Sequence, residues 1–139
     1  MPSVSEHERR LRELPCIVSE RRPVTLHHCH GGSLKGLGWH VGMAQRQNPF
    51  LQIPLHAEFH IGSRGIDSGT GVVTWENRYG SQLDHLREVD QILSYEESIF
   101  VLARRWEFEH RSKSGARPVD EDDDPGSEAR LGGGSEEVR

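Results

Sequence analysis

The sequence predicts a small α+β domain. Three observations carry that expectation: short extended pieces in the first half that run into glycine-rich loops, a switch to helical periodicity in the second half, and a final stretch of Ser, Gly, Pro and acid too poor in apolar residues to pack. At 139 residues with 33% hydrophobic content, the chain supports one core of modest size.

The elements follow in order. Residues 1–14 read as a helical arm, with Ser5 and Glu8 at capping-box spacing and a helix from Glu6 to Leu14 that stops at Pro15. Cys16-Ile17-Val18 and Val24-Thr25-Leu26-His27-His28 are extended pieces on either side of the polar Ser19-Glu20-Arg21-Arg22-Pro23, consistent with a hairpin. Gly31 to Gly42 holds five glycines and no sustained period, so it reads as a long loop of the kind that usually carries function. Phe50-Leu51-Gln52-Ile53 is a third strand closed by Pro54, and Leu55 to His60 a short helix that sets His56 and His60 at i and i+4 on one face.

The second half differs. A glycine-punctuated loop from Gly62 to Gly71 precedes helices at Val72–Tyr79 and Ser81–Leu93, divided by Gly80, with an extended start at Val72-Val73-Thr74 as the alternative. Ile99, Leu102, Ala103 and Trp106 fall at i, i+3, i+4 and i+7, the core stripe of a last helix from about Tyr95 to Trp106. The division is therefore an arm over 1–14, a domain with C-terminal helices over 15–107, and a disordered acidic tail over 108–139 that includes Asp120-Glu121-Asp122-Asp123-Asp124.

Charge is uneven. Residues 1–64 hold eight Lys/Arg against five Asp/Glu, whereas residues 65–111 hold five against nine. The mildly basic part is the part a phosphate-binding face needs, and Arg21, Arg22, Lys35, Arg46 and Arg64 are its candidate phosphate contacts, with solvated charge as the bland reading. No apolar leader follows Met1, no run approaches a membrane span, and the two cysteines suit a reducing compartment. A cytoplasmic protein without a membrane partner is expected.

The chemistry concentrates at Thr25-Leu26-His27-His28-Cys29-His30-Gly31-Gly32, followed by Pro54-Leu55-His56 and His60. Imidazole is the commonest metal ligand and the side chain best suited to proton transfer near neutral pH. Phosphodiester hydrolysis needs a deprotonated water, a counter to the charge of the transition state, and a stabilised leaving oxygen, the last most simply met by a divalent cation. Adjacent strand residues face opposite sides, so one of His27 and His28 points to a metal and the other to water. A helical His closes the metal site, and an amide such as Asn48, with Gln45 and Gln47 as alternatives, orients the base. His7, His85 and His110 read as surface residues, and His40 lies in the long loop. Asp67 either adds a carboxylate near the site or caps the next turn.

Pro15-Cys16-Ile17-Val18, the run from Pro23 through the His-His-Cys-His-Gly-Gly motif to Ser33, Gln45-Arg46-Gln47-Asn48, Ile53-Pro54-Leu55-His56 and Trp75-Glu76-Asn77-Arg78-Tyr79-Gly80 together resemble the phage recombination-enhancement (Ref) family of RecA-dependent, HNH-like nucleases. The similarity runs from about Leu14 to Trp106. It implies an HNH-type ββα-metal core, DNA as partner together with a RecA filament, Mg²⁺ or Mn²⁺ at the catalytic site, and a phage or prophage protein acting in a bacterial cell. By the matching motif, His27 is a metal ligand, His28 the general base and His60 the later metal ligand. Related HNH proteins often bind a structural Zn²⁺ through a C-x-x-C and a C-x-x-H. Here Cys16 is followed by Ser19, and His56 by Phe59. The knuckle has either lost its metal or regrouped Cys16 with Cys29, His30 or His56, and the first is the expectation. A catalytically silent DNA- or protein-binding module on the same fold is the alternative function.

Overall fold

The computed structural model describes residues 1–37, 48–68 and 71–114, with side chains as far as residue 110. The element order is helix α1 (Val4–Arg12), strand β1 (Thr25–His28), a 3₁₀ helix (Gly32–Leu37), strand β2 (Gln52–Leu55) and helices α2 (Ala57–His60), α3 (Val72–Tyr79), α4 (Gln82–Leu93) and α5 (Ile99–Ser114). The protein is α+β, with several helices and, among the described residues, one two-stranded antiparallel sheet. Packing divides the chain into a unit Met1–Ala103 and a second unit Arg104–Arg139. No helix among the described residues is long and apolar enough to cross a membrane.

Strand pairing departs from the expected hairpin. β1 pairs with β2, matching Thr25 to Leu55, Leu26 to Pro54, His27 to Ile53 and His28 to Gln52. Cys16–Val18 is not a strand because its segment closes on itself: Cys16 N–H donates to Arg21 O (3.0 Å) and Glu20 N–H to Cys16 O (2.8 Å), with Glu20 at φ 65°. One bond links this turn to the sheet, from Ile17 N–H to the Pro54 carbonyl at 3.0 Å. β2 also runs past its expected stop. Pro54 lacks only a donor, and a sheet of two strands leaves edges where that loss is tolerated.

Helix ends show which local signals decided. α1 is capped by Ser3, whose hydroxyl accepts from Glu6 N–H at 3.1 Å, rather than by Ser5. Ser81 caps α4 in the same way through Asp84 N–H at 3.0 Å. α5 starts at Ile99 instead of Tyr95, since Ser94 ends α4 in the left-handed region and Asp90 accepts from Ile99 N–H (2.8 Å) and the Ser98 hydroxyl (3.0 Å). Its helix runs on through Ser114, past the boundary at 107 and into what the sequence assigns to a disordered tail. Within that stretch His110 stacks on Trp106, ring centroids 3.9 Å apart. Residues 115–139 lie outside the described residues, as do His40, Gln45, Arg46 and Gln47 of the long loop.

The core of the first unit gathers Leu11, Leu51, Ile53, Leu55, Ile66, Trp75, Leu86, Val89, Ile99 and Leu102, each at most 2% exposed. Burying such side chains is the main favourable term in folding, of order 1.5–3 kcal/mol each. Ile53 and Leu55 put β2 against the helices, and this fixes the height at which His27, paired with Ile53, enters the interior.

Candidate metal centre

Strand periodicity buries His27 completely and leaves His28 half-buried. His27 Nδ1 lies 3.0 Å from Asp67 Oδ2, and His60 Nε2, at the end of α2, lies 3.0 Å from the same oxygen. His30 Nε2 stands 3.2 Å from the other oxygen, Oδ1. One carboxylate is thus surrounded by three imidazoles drawn from a strand, the turn after it and a helix.

Asp67 reaches this position because the 61–68 loop folds back over α2. Ile66 N–H donates to Phe59 O at 3.1 Å and Asp67 N–H to His60 O at 3.0 Å. Burial alone would raise the Asp67 carboxyl, yet hydrogen bonds from His27, His60 and His30, when the ring nitrogens facing it carry protons, outweigh it and hold the group well below the usual carboxylate range.

Each inner histidine is gripped on its far nitrogen. His60 Nδ1 lies 2.7 Å from the Thr25 hydroxyl, which donates its own proton to Leu55 O at 3.2 Å and so accepts from His60. That leaves the lone pair of neutral His60 on Nε2, facing Asp67. His27 Nε2 lies 3.0 Å from Gln82 Oε1. Among the described residues, His27, His60 and Asp67 are the group whose ligand atoms, all within 4.8 Å of one another, suit a metal ion.

The other expected ligands stand elsewhere. His56 is the N-cap of α2, its Nδ1 accepting from Glu58 N–H at 3.3 Å, with Arg21 Nη2 3.4 Å away. Cys29 is buried, its backbone N–H bonded to Leu51 O at 2.8 Å, and burial pushes its thiol well above the ordinary range. Cys16, Cys29 and His56 therefore form no shared site with each other or with His30 among the described residues, and the regrouped zinc arrangement is set aside. At Cys16, burial opposes ionisation, but the backbone N–H groups of His56, Ser19 and Val18 and the Ser19 side chain bring the thiol below its usual value. The turn aims donors at the sulfur, whereas Ser19 and Phe59 offer it no further thiol or imidazole, Phe59 being packed edge-on against Tyr79 at 5.2 Å.

His28 takes no part in the hydrogen bonds of the cluster. Burial holds its pKa below the ordinary imidazole value, partly offset by the Glu8 carboxylate. Asn48 is buried, donating to Ala103 O at 2.7 Å and accepting from Phe50 N–H at 3.0 Å, so the bonds described for it fasten the entry to β2 and none reaches His28. Glu8, bonded at 2.7 Å to Gln52, the cross-strand partner of His28, is the carboxylate whose charge acts on the ring.

Of the basic candidates, Arg22 and Lys35 are exposed. Arg64 and Arg21 instead share Glu58, at 3.2 Å and 2.6 Å. Arg46 lies outside the described residues.

Gln82 and Thr25 were missed by sequence reasoning. Thr25 was findable, two residues before His27 on the same strand face. Gln82 comes from the first turn of α4 and carries no local signal. No protein-family model matches the chain, and no curated protein or solved structure matches it either.

Proposed function

We propose that the protein is a small metal-dependent DNA endonuclease of HNH type, as the resemblance to the Ref family implies. The observation that carries this reading is the convergence of His27 Nδ1 and His60 Nε2 on one oxygen of Asp67, 3.0 Å from each. Two imidazole lone pairs and an anionic oxygen repel unless a cation sits among them, and a proton or a divalent metal answers that need. The order β1, glycine-bearing turn, β2, α2, with one ligand at the strand and one on the helix, supports a ββα-metal arrangement.

His27, His60 and Asp67 would hold the metal, with His30 at its edge. Imidazole-rich donors fit Mn²⁺ or Zn²⁺ better than Mg²⁺, which prefers oxygen. When bound, such an ion supplies charge to stabilise the leaving 3′-oxygen. His28, neutral through burial, takes the proton from the attacking water. Arg22 and Lys35, both exposed, meet neighbouring phosphates. Targeting to RecA-bound DNA follows from the resemblance alone.

A second reading, a silent binding module on the same fold, is favoured by one observation: among the described residues no hydrogen bond orients the His28 ring, and Asn48 is engaged elsewhere. Cleavage assays on single-stranded and duplex DNA, with and without RecA filaments, Mn²⁺, Mg²⁺ or chelator, separate the two. The nuclease reading expects metal-dependent nicking that His28→Ala reduces by roughly 10²–10⁴ while metal uptake persists. Metal uptake and DNA binding without cleavage under any of these conditions would establish the module instead.

A further inference from the structure

The metal-centre reading gives a role to a residue outside the centre, and this inference rests on that reading. Gln82 begins α4 and is fully buried. Three neighbours leave its amide one orientation. The His30 carbonyl, 2.9 Å away, and the Glu76 carboxylate, 3.3 Å away, only accept, so both face Nε2. The His30 N–H only donates and lies 3.1 Å from Oε1. That same Oε1 is 3.0 Å from His27 Nε2. An amide oxygen has no proton to give, so His27 Nε2 carries one; the Asp67 carboxylate accepts likewise, and any proton it draws to Nδ1 is the one a bound cation displaces. The neutral ring then has its lone pair on Nδ1, the atom that faces Asp67.

The amide is itself held. Glu76 accepts from the Ser33 hydroxyl at 2.6 Å, from Ser33 N–H at 3.0 Å and from Gln82 N–H at 2.8 Å. The turn carrying Ser33 comes this close because Gly32, at φ 49°, has no side chain; a Cβ there would collide with the Glu76 carboxylate and meet Val72 Cγ1 at 2.8 Å. The Thr25 hydroxyl directs His60 only while its proton goes to Leu55 O, and a hydroxyl rotates to another acceptor at little cost. The fixed amide of Gln82 does not.

We propose that Gln82 is the positioning residue of this centre: it sets the tautomer of His27 and pins both backbone groups of His30, so that the Nδ1 lone pair of His27 is presented to a divalent cation. Gln82 acts through His27 and His30 and touches neither cation nor substrate.

The test uses the full chain, with Zn²⁺ as the probe. Long-range ¹H–¹⁵N correlation spectra, recorded with Zn²⁺ and metal-free at mildly alkaline pH, report the His27 tautomer, and calorimetry reports affinity. The wild type is expected to carry its proton on Nε2. Gln82→Met, similar in length but without the acceptor, should mix the tautomers and weaken Zn²⁺ binding about 10–100-fold, the usual cost of losing a group that orients a ligand. Exchanging the pair, Gln82→Glu with Glu76→Gln, returns an acceptor to His27 but no donor to the His30 carbonyl, so it should recover the tautomer and only part of the affinity. A metal-free wild type protonated on Nδ1 alone, with Nε2 bare, overturns the proposal without recourse to any variant. Tight Zn²⁺ binding that survives Gln82→Met removes Gln82 and leaves the metal centre standing. An Nε2-protonated wild type that takes up no Zn²⁺ removes the metal centre and, with it, the role assigned to Gln82.

Discussion

Gly65 lies against the backbone of His60 so closely that a Cβ at position 65 would sit 2.5 Å from the His60 carbonyl oxygen and 2.8 Å from Ile61 N. This contact lets the loop turn back over α2 and deliver Asp67 to the two histidines. Gly65→Ala should therefore push the loop away and weaken divalent-metal binding by at least about tenfold, comparable to losing a group that orients a ligand. Because the clash is with backbone, a small side chain offers no relief. Titration with Zn²⁺ or Mn²⁺ checks this, and an unchanged affinity would show that Asp67 does not depend on the close approach.

Asp67→Asn tests the anionic part of the centre while keeping its shape. The amide cannot neutralise a cation, and its NH₂ points a donor at one of the imidazoles. Metal affinity should fall by roughly two orders of magnitude or more, since even groups behind the ligands contribute about 10–100-fold. In the metal-free protein the same change removes the carboxylate that His27, His30 and His60 share, so the melting temperature should drop as well. Retention of full metal affinity would move the site away from Asp67.

Much of this centre was legible in the sequence, and the part that was not has a physical reason. His27 and His60 stand where strand alternation and the short helix put them, and both meet at one oxygen. Asp67 was visible only as one of two alternatives, because nothing local tells a carboxylate that caps a turn from one that reaches back over a helix. His7 was read as a surface residue from its polar neighbours, yet it is fully buried. Its covering partner, Tyr95, lies 88 residues away in sequence, and no window along the chain connects them. The hairpin expected at Cys16–Val18 was lost for the opposite reason: a local turn closed by its own backbone bonds outcompeted strand pairing.

Adding ligands to the Cys16 turn tests whether that turn can close around a metal. Ser19→Cys places a second thiol in a turn whose N–H groups already point at Cys16 Sγ, including Ser19 N–H at 3.4 Å. Phe59→His is costlier, because Phe59 is only 6% exposed and packs on Tyr79. Full truncation of a buried aromatic costs about 3–5 kcal/mol, and an imidazole forfeits part of that packing while burying polar ring atoms when no metal compensates. The double mutant should thus be less stable than wild type under chelator and more stable with Zn²⁺, whereas Phe59→His alone is destabilised in both. A rise in melting temperature on adding Zn²⁺ that is no larger in the double mutant than in wild type would show that the turn cannot close around a metal.

The last prediction concerns acid stability and rests on His7. Its Nδ1 lies 2.8 Å from the Tyr95 hydroxyl, its ring packs on Phe50 at 5.0 Å, and its Nε2 is buried with no partner among the described residues. Burial lowers its pKa from 6.5 to about 4, with Glu8 pulling upward and Arg10 downward. The unfolded chain takes up this proton near pH 6.5 and the folded chain near pH 4, so between those values the unfolded state binds more protons and stability rises with pH. Acidification through that window should cost about 3 kcal/mol from His7 alone, at roughly 1.4 kcal/mol per pH unit of displacement, with no further loss from His7 once both states are protonated. His7→Gln keeps a hydrogen-bonding group near Tyr95 but has nothing to titrate. Urea unfolding of both proteins across pH 7 to 4 isolates the effect: the difference in stability should shift in favour of the Gln variant as pH falls. Parallel pH profiles would mean that the buried ring accepts its proton without penalty.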